Sequence, residues 1–478
     1  MNRRLYNNSL AVVGLLVWST LTALSLGTTL VIYRVSGKAG LDQVLQAEPG
    51  ANLTLNILAV AATWVLVGLL LALLTARWIN ATNGLEVAGF FIVSLLYINI
   101  LRERVVYGDL EDYVRAAFNL AAGEHLHPRY LYPPFLATLL TLFIPLGNNA
   151  IFYVCWLANI IAVPVLFLLL SRCLQLYGYP APLAVLVTVI FMSVNMPILR
   201  TLVYGQVNLH VLNLILGCLL LYRRAPFLSA LALALAVHVK LTPIVLVLAF
   251  IIQKDWRWLF WFSLALLTIT AYTIASYGVA PYRDFLTNSS QAYAVSGVAF
   301  RNYSWDSLVF STGYLANHYG RTAHLIVYLG KAIFAITTLL IMGLNVQQKT
   351  FYKAAAKGVD VYNSVISLFL LMILLSPVTW EHSSIFLALP MLLILKKIQL
   401  ELEWLIYGAA YYFLFLMPTI DFYPWSYLRF FSVLICLGCL WWQAKRDDRS
   451  SLFEASNRWL SALAAPLSQG DENRRTVE

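Results

Sequence analysis

Three carboxylates stand close together between apolar stretches of the chain: Asp109, Glu111 and Asp112. Asp109 and Asp112 are three residues apart, so on a helix they share one face, whereas Glu111 points elsewhere. A carboxylate beside an acceptor hydroxyl can take its proton as the hydroxyl attacks, which is general-base catalysis. We therefore predict a catalytic base here, and Asp109 and Asp112 are the two candidates.

Two simpler interpretations of these carboxylates stay open. Aspartate is a favoured helix N-cap, so Asp109 could serve only to begin the helix that follows it. Clustered carboxylates can also hold a divalent cation, but no pair of histidines lies directly beside them. We predict neither a metal ion nor another cofactor.

Lys240 joins two short apolar segments, residues 227–239 and 244–252. A lysine at membrane depth is costly unless an anion or a water-filled cavity faces it. The phosphate of a lipid would be such an anion, although a lysine can also reach the membrane surface along its own flexible stem. His382, next to Glu381 at the end of an apolar run, could donate to the same phosphate, orient an acceptor or be structural.

Other polar and aromatic residues at the ends of apolar runs suit a sugar phosphate. Amides hydrogen-bond sugar hydroxyls and aromatic rings can stack on sugars, yet amides also cap helices and Trp and Tyr are common at membrane surfaces. The predicted phosphate-binding residues are Lys240, His382 and Arg129. The predicted sugar- or acceptor-binding residues are Tyr132, Gln206, Asn208, Asn302, Trp380 and Glu381.

The composition places these residues in a membrane protein. Of 478 residues, 61% are hydrophobic and 11% are charged, whereas soluble proteins are about 25% charged. The apolar runs are about 16 to 25 residues long, which is enough for a helix to cross a bilayer. We predict an all-α, polytopic integral membrane protein with about 12 to 14 membrane helices, including a short re-entrant pair around Lys240.

The basic residues indicate the orientation of the chain. The net charge is +10, but the basic residues lie at the ends of apolar runs and form no patch among aromatic residues, so nucleic acid is not a predicted partner. Pairs such as Arg223 with Arg224 and Lys396 with Lys397 mark the cytoplasmic side. They predict cytoplasmic termini and an extracytoplasmic site around Asp109.

The chain reads as one membrane domain with additions at both ends. Residues 1–85 form a predicted N-terminal extension with two transmembrane helices, and residues 86–445 form the predicted catalytic membrane domain. Residues 446–478 are polar and are predicted to be a cytoplasmic tail.

Five short motifs carry a resemblance to a known family. In chain order they are Asp109 to Tyr113, Gly123 with the Tyr-Pro-Pro turn at 132–134, Gly205-Gln206 with Asn208, Lys240 with Thr242-Pro243, and Ser376-Pro377 with Trp380 and His382. This set resembles the polyprenyl-phosphate-mannose-dependent mannosyltransferases, glycosyltransferase family 87 in the C-type (GT-C) superfamily. It covers about residues 87–395 and implies the GT-C fold, a lipid-phosphate sugar donor and a base at Asp109. The sequence Asp-Leu-Glu-Asp contains more acidic residues than the usual motif, so the choice of base stays open.

The combined prediction is a glycosyltransferase of the cell envelope, in the plasma membrane of a bacterium. It would move mannose, or a similar hexose or pentose, from a polyprenyl-phosphate donor to a lipid or glycan acceptor, with inversion of configuration. The alternative is a transporter or flippase of lipid-linked sugars, which would show paired halves and intramembrane charges along a path. The clustering of the acids in one outer loop favours the enzyme.

Overall fold

The computed structural model describes residues 2–44, 53–76, 78–79, 83–103, 108–147, 150–295, 301–316, 320–348, 360–418 and 420–446. These residues form helices and connecting turns, and none of them lies in a β-strand. The predicted all-α class is confirmed. The chain divides into two compact units, Met1–Val105 and Val106–Glu478. Residues 447–478 of the predicted tail lie outside the described residues.

The first unit contains three helices that carry long apolar runs. They are α1 (Asn2–Val44), α2 (Leu53–Thr75) and α3 (Gly84–Glu103). Trp18 of α1 packs on α2, where its indole nitrogen donates to the carbonyl oxygen of Trp64 at 3.0 Å. Gly68 makes room for this ring, because a Cβ there would lie 2.4 Å from the nearest Trp18 atom.

The second unit holds the remaining helices and all predicted site residues. They are α4 (Gly108–Ala121), α5 (Pro134–Thr141), α6 (Ala150–Leu176), α7 (Ala181–Ser193), α8 (Met196–Val203), α9 (Asn208–Leu221), α10 (Pro226–Val239), α11 (Val247–Gln253), α12 (Trp256–Tyr277), α13 (Ala280–Val295), α14 (Trp305–Leu315), α15 (Arg321–Gln348), α16 (Val361–Leu375), α17 (Ala388–Lys396), α18 (Glu401–Tyr411) and α19 (Leu428–Lys445). Short 3₁₀ turns precede α11 and α17, over Thr242–Leu246 and Glu381–Leu387.

The apolar helices make this a multi-pass membrane protein. Six stretches in the described part of the chain are long and apolar enough to cross a bilayer: Ala11–Val35, Gly84–Leu101, Ala150–Leu176, Trp256–Tyr277, Arg321–Asn345 and Trp425–Lys445. Helices α7 and α8 pass the same test as a pair that bends by 58°. Shorter apolar helices, among them α9, α10 and α16, complete the set.

Helix α16 forms the centre of the second unit. Its residues are buried on all sides from Val361 to Leu374, as expected for a helix that is apolar around its whole circumference. It packs against α15, α11 and α19. The helix ends before Ser376, which has an extended backbone, and Pro377 follows. The core helix therefore leads directly into residues 376–383, which form one wall of the candidate site.

Candidate active site

A cavity of about 150 Å³ in the second unit collects most of the predicted site residues. Eight of the eleven line it: Asp109, Asp112, Arg129, Tyr132, Gln206, Lys240, Trp380 and His382. Two larger cavities, of about 610 and 340 Å³, are lined mainly by apolar side chains and contain none of the eleven. The smaller cavity is therefore the candidate active site, because acids, cations and amides converge there.

Helix α4 brings the two aspartates to this cavity. It is amphipathic, with Leu110 and Tyr113 buried and Glu111 exposed in an ion pair with Arg115 at 3.0 Å. Asp109 is the second residue of the helix and is half-buried. No group in the described part of the chain donates a hydrogen bond to its carboxylate, although an N-cap carboxylate accepts one from a backbone amide. The structure thus gives no support to a purely capping role.

The surroundings of Asp109 change its acidity. Burial and the neighbouring charge of Asp112 raise the pKa of Asp109 to about 6, although Lys240 acts in the opposite direction. Burial also raises the pKa of Asp112, whereas His127 and Arg129 lower it. A base works best when its pKa is close to the working pH. Asp109 therefore has the electrostatic character of a general base.

Lys240 brings a positive charge into the same cavity. It follows α10 with an extended backbone, and its Nζ donates to Oδ1 of Asn208 at 2.8 Å. No carboxylate forms an ion pair with it among the residues whose structure is described. Nζ also lies 5.6 Å from the centre of the Phe386 ring. The cation is thus held in place without an ion-pair partner, which suits the binding of an anion.

His382 and Trp380 also line the cavity, at the start of the 3₁₀ turn before α17. The side chain of His382 is only 7% exposed, and burial together with the charge of Lys240 lowers the pKa of its imidazole. The ring is therefore neutral at physiological pH and offers one N–H donor and one acceptor.

Three predicted sugar or acceptor contacts lie behind the cavity wall. Asn208 is fully buried, and its amide nitrogen donates to the carbonyl oxygen of His382 at 3.3 Å. The side-chain oxygen of Asn302 accepts from the backbone nitrogen of Thr379 at 2.8 Å, and its nitrogen donates to the oxygen of Pro377 at 3.1 Å. These amides hold residues that line or adjoin the cavity, so the structure gives them a positioning role.

Glu381 is the third of these residues. Its carboxylate forms an ion pair with Nε of Arg200 at 2.7 Å and lies 3.7 Å from a terminal nitrogen of Arg429. Arg200 also donates to the hydroxyl of Tyr204 at 3.3 Å. Because Tyr204 packs on Gly108, Arg200 connects Glu381 with the start of α4.

Several residues of the site escaped prediction from the sequence. Tyr113, Ser376 and Ser383 line the cavity, and Arg200 and Arg429 pair with Glu381. A signal existed for the two arginines, because a charge within an apolar helix requires a partner. Tyr113 belongs to the motif that begins at Asp109, but it lies on the apolar face of α4 and the motif gave it no role at the site. Nowhere in the described ranges do three or more His, Cys, Asp or Glu side chains come together as a possible metal site.

Comparison with known proteins identifies a family. The family model described as glycosyltransferase family 87 matches residues 130–377, more than half of the chain. The matched segment includes Tyr132, Gln206 and Lys240, while Asp109 precedes it and His382 follows it. No curated protein and no solved structure matches the chain.

Proposed function

Because the chain belongs to glycosyltransferase family 87, we propose that it transfers a sugar from a polyprenyl-phosphate donor to a lipid or glycan acceptor. The observation that carries this proposal is the meeting of the Asp109 carboxylate and the Lys240 cation in one cavity of a multi-pass membrane protein. Transfer from a sugar phosphate needs a base that deprotonates the acceptor hydroxyl and a cation that stabilises the phosphate leaving group. The cavity offers one group for each.

The reaction is a direct displacement at the anomeric carbon. Asp109 takes the proton of the acceptor hydroxyl while the hydroxyl oxygen forms a bond to that carbon. The bond to the phosphate oxygen breaks on the opposite side, and polyprenyl phosphate leaves with the electron pair. Lys240 and Arg129 stabilise its charge, and the neutral His382 imidazole donates a hydrogen bond. One displacement inverts the configuration of the sugar.

The donor is a lipid phosphate and not a nucleotide sugar. The chain has no glycine-rich turn between a strand and a helix in its described part, which is the usual means of binding a nucleotide. The distribution of basic residues favours a site outside the cytoplasm, and the apolar helices beside the cavity provide a surface for a polyprenyl tail. Mannose, another hexose and a pentose all remain within this substrate class.

The experiment is a donor panel with purified protein. Short-chain polyprenyl phosphates carrying mannose, other hexoses or pentoses are incubated with membrane glycolipid acceptors, and the products are analysed by mass spectrometry. We expect one lipid-phosphate donor to give a product of inverted configuration. Transfer from a soluble nucleotide sugar in place of every lipid donor would contradict the proposal. Sugar movement across vesicles without a new glycosidic bond would instead favour a flippase.

A further inference from the structure

Gln206 is held by two tyrosine hydroxyls in the candidate site. Its side-chain oxygen accepts from the hydroxyl of Tyr113 at 3.0 Å and from the hydroxyl of Tyr132 at 3.0 Å. The three side chains belong to separate segments: α4, the turn before α5, and the turn between α8 and α9. The rings of Tyr113 and Tyr132 meet edge to face, with their centres 5.0 Å apart.

These contacts fix which end of the Gln206 amide is available to a ligand. An amide oxygen has two lone pairs, and here each accepts a hydrogen bond from one tyrosine hydroxyl. The amide nitrogen makes no hydrogen bond to the described part of the chain, and the residue lines the cavity although it is only 2% exposed. The side chain therefore presents its N–H groups to the cavity.

The state of Tyr113 supports this orientation. Burial raises the pKa of Tyr113 well above its usual value, and the charge of Asp109 acts in the same direction. The phenol keeps its proton at neutral pH, and a buried hydroxyl proton needs an acceptor. In the reversed amide orientation the phenol would face N–H groups and lose this acceptor. The protonated phenol thus favours the orientation in which the Gln206 oxygen accepts its hydrogen bond.

We propose that Tyr113 and Tyr132 fix Gln206 as a hydrogen-bond donor to a hydroxyl oxygen of the transferred sugar. In this proposal, which rests on the proposed function, Tyr113 is a positioning residue that acts through Gln206. A sugar oxygen fits better here than a phosphate, because Tyr113 adjoins Asp112 and feels the charge of Asp109. Two carboxylates disfavour a phosphate beside Gln206, whereas Lys240, whose side chain is held by Asn208, offers a phosphate a cation in the same cavity.

The test is a double-mutant cycle with Tyr113→Phe and Gln206→Ala. The readout is kcat/KM for the active lipid-phosphate donor and for its monodeoxy sugar analogues. We expect Tyr113→Phe to lower kcat/KM about three- to tenfold in the wild-type background, the size of a neutral hydrogen bond. In the Gln206→Ala background the same change should have no effect. Gln206→Ala should also lose the preference for the natural sugar over one particular monodeoxy analogue.

Tyr130→Phe is the matched control. Tyr130 belongs to the same aromatic cluster and is fully buried, but its hydroxyl donates to the carbonyl oxygen of Pro133. This variant should change the melting temperature without changing discrimination between the donor and its deoxy analogues. If Tyr113→Phe fails to fold, Tyr132→Phe serves the same cycle, because Tyr132 is half-buried.

The outcomes separate this inference from the proposed function. Additive losses in the cycle, or an unchanged preference among the analogues in Gln206→Ala, would overturn the donor role of Gln206 while transfer itself remained. Absence of transfer by the wild-type protein from every lipid-phosphate sugar would remove the proposed function, and the inference with it.

Discussion

Asp109 combines partial burial, a nearby carboxylate and a nearby cation, and these set its chemical role. Its carboxylate is free of hydrogen bonds from the described residues, so it is available to a substrate proton. We predict that Asp109→Asn lowers kcat by about a hundredfold or more, the usual contribution of a general base. Asparagine has nearly the same shape, so the melting temperature and donor binding should stay close to the wild-type values. Single-turnover kinetics would separate binding from chemistry.

Glu111→Gln is the control for this substitution, because Glu111 is exposed and paired with Arg115. It removes a carboxylate from the same helix without touching the cavity, and its turnover should match the wild type. Wild-type turnover in Asp109→Asn together with an inactive Asp112→Asn would assign the base to Asp112.

The raised pKa of Asp109 makes activity depend on pH. The base acts as a carboxylate, so kcat/KM should rise with pH through the Asp109 pKa of about 6 and fall when the group is protonated below it. The pH profile of kcat/KM for the wild type tests this. An acidic limb near pH 4, about the ordinary value for an aspartate, would show that Asp109 is not the titrating base.

In the proposed reaction, Lys240 stabilises the phosphate leaving group. We predict that Lys240→Ala lowers kcat/KM for the donor by about 10- to 100-fold, because a charge-assisted hydrogen bond contributes about 1.5 to 3 kcal/mol. The KM for the acceptor should change much less. Lys445→Ala is the control, since Lys445 is exposed at the end of α19 and does not line the cavity. An unchanged dependence on donor concentration in Lys240→Ala would contradict the phosphate contact.

At the scale of elements, a close contact of two turns positions Asp109. Gly205 has a φ of +65°, and a Cβ at this position would lie 2.6 Å from the Cβ of Leu110 in α4. The backbone nitrogen of Leu110 also donates to the oxygen of Tyr204 at 3.3 Å. The turn before α9 therefore fixes the first turn of α4, where Asp109 lies.

Gly205→Ala should disturb this contact. We expect the free energy of unfolding to fall by about 1 to 3 kcal/mol, because alanine is strained at this φ and its methyl group displaces Leu110. Turnover should fall as well, since the displacement reaches Asp109. Gly217→Ala in α9 is the matched control, because nothing lies within 4 Å of a Cβ placed there and alanine stabilises a helix interior by about 0.5 to 1 kcal/mol. Equal melting temperatures for the two variants would show that the contact is unimportant.

The sequence predicts some features of this arrangement and not others. The spacing of Asp109 and Asp112 predicts a shared helix face, and both residues line the cavity. Amides carry no sign of whether they face a ligand or the protein. Gln206 lines the cavity, whereas Asn302 holds the loop around Thr379. Long-range packing makes this difference, and a local pattern does not contain it.

At the scale of the whole molecule, composition alone predicted the class. An apolar chain with few charges has to satisfy its backbone hydrogen bonds within helices if it lies in a membrane, and the regular structure of the described residues is all helical. The lengths of the apolar runs did not predict the individual helices, because one run forms the two helices α7 and α8, which bend by 58°. The bend of α7 against α8 follows from Asn195, whose side chain caps α8 by accepting from Ile198, with Pro197 in the first turn.

The orientation of the chain is the last expectation, and it rests on the basic residues. Lys396 and Lys397 precede α18, so its start should be cytoplasmic, while Glu111 and Asp421 should lie outside. Glu111 and Asp421 have side chains 60% and 42% exposed, and Glu401 is also exposed. These three positions therefore suit labelling with a thiol reagent.

We predict that Glu111→Cys and Asp421→Cys react with an impermeant maleimide in intact cells and that Glu401→Cys reacts only after permeabilisation. The wild-type chain is the blank, because three of its five cysteines are buried and two are half-buried. The physical reason is the cost of moving charged loops across the membrane, which keeps lysine and arginine clusters on the cytoplasmic side. Labelling of Glu401→Cys in intact cells, with protection of the other two, would show that the chain has the opposite orientation in the membrane. The candidate site would then face the cytoplasm, and its location would no longer favour a lipid donor over a nucleotide sugar.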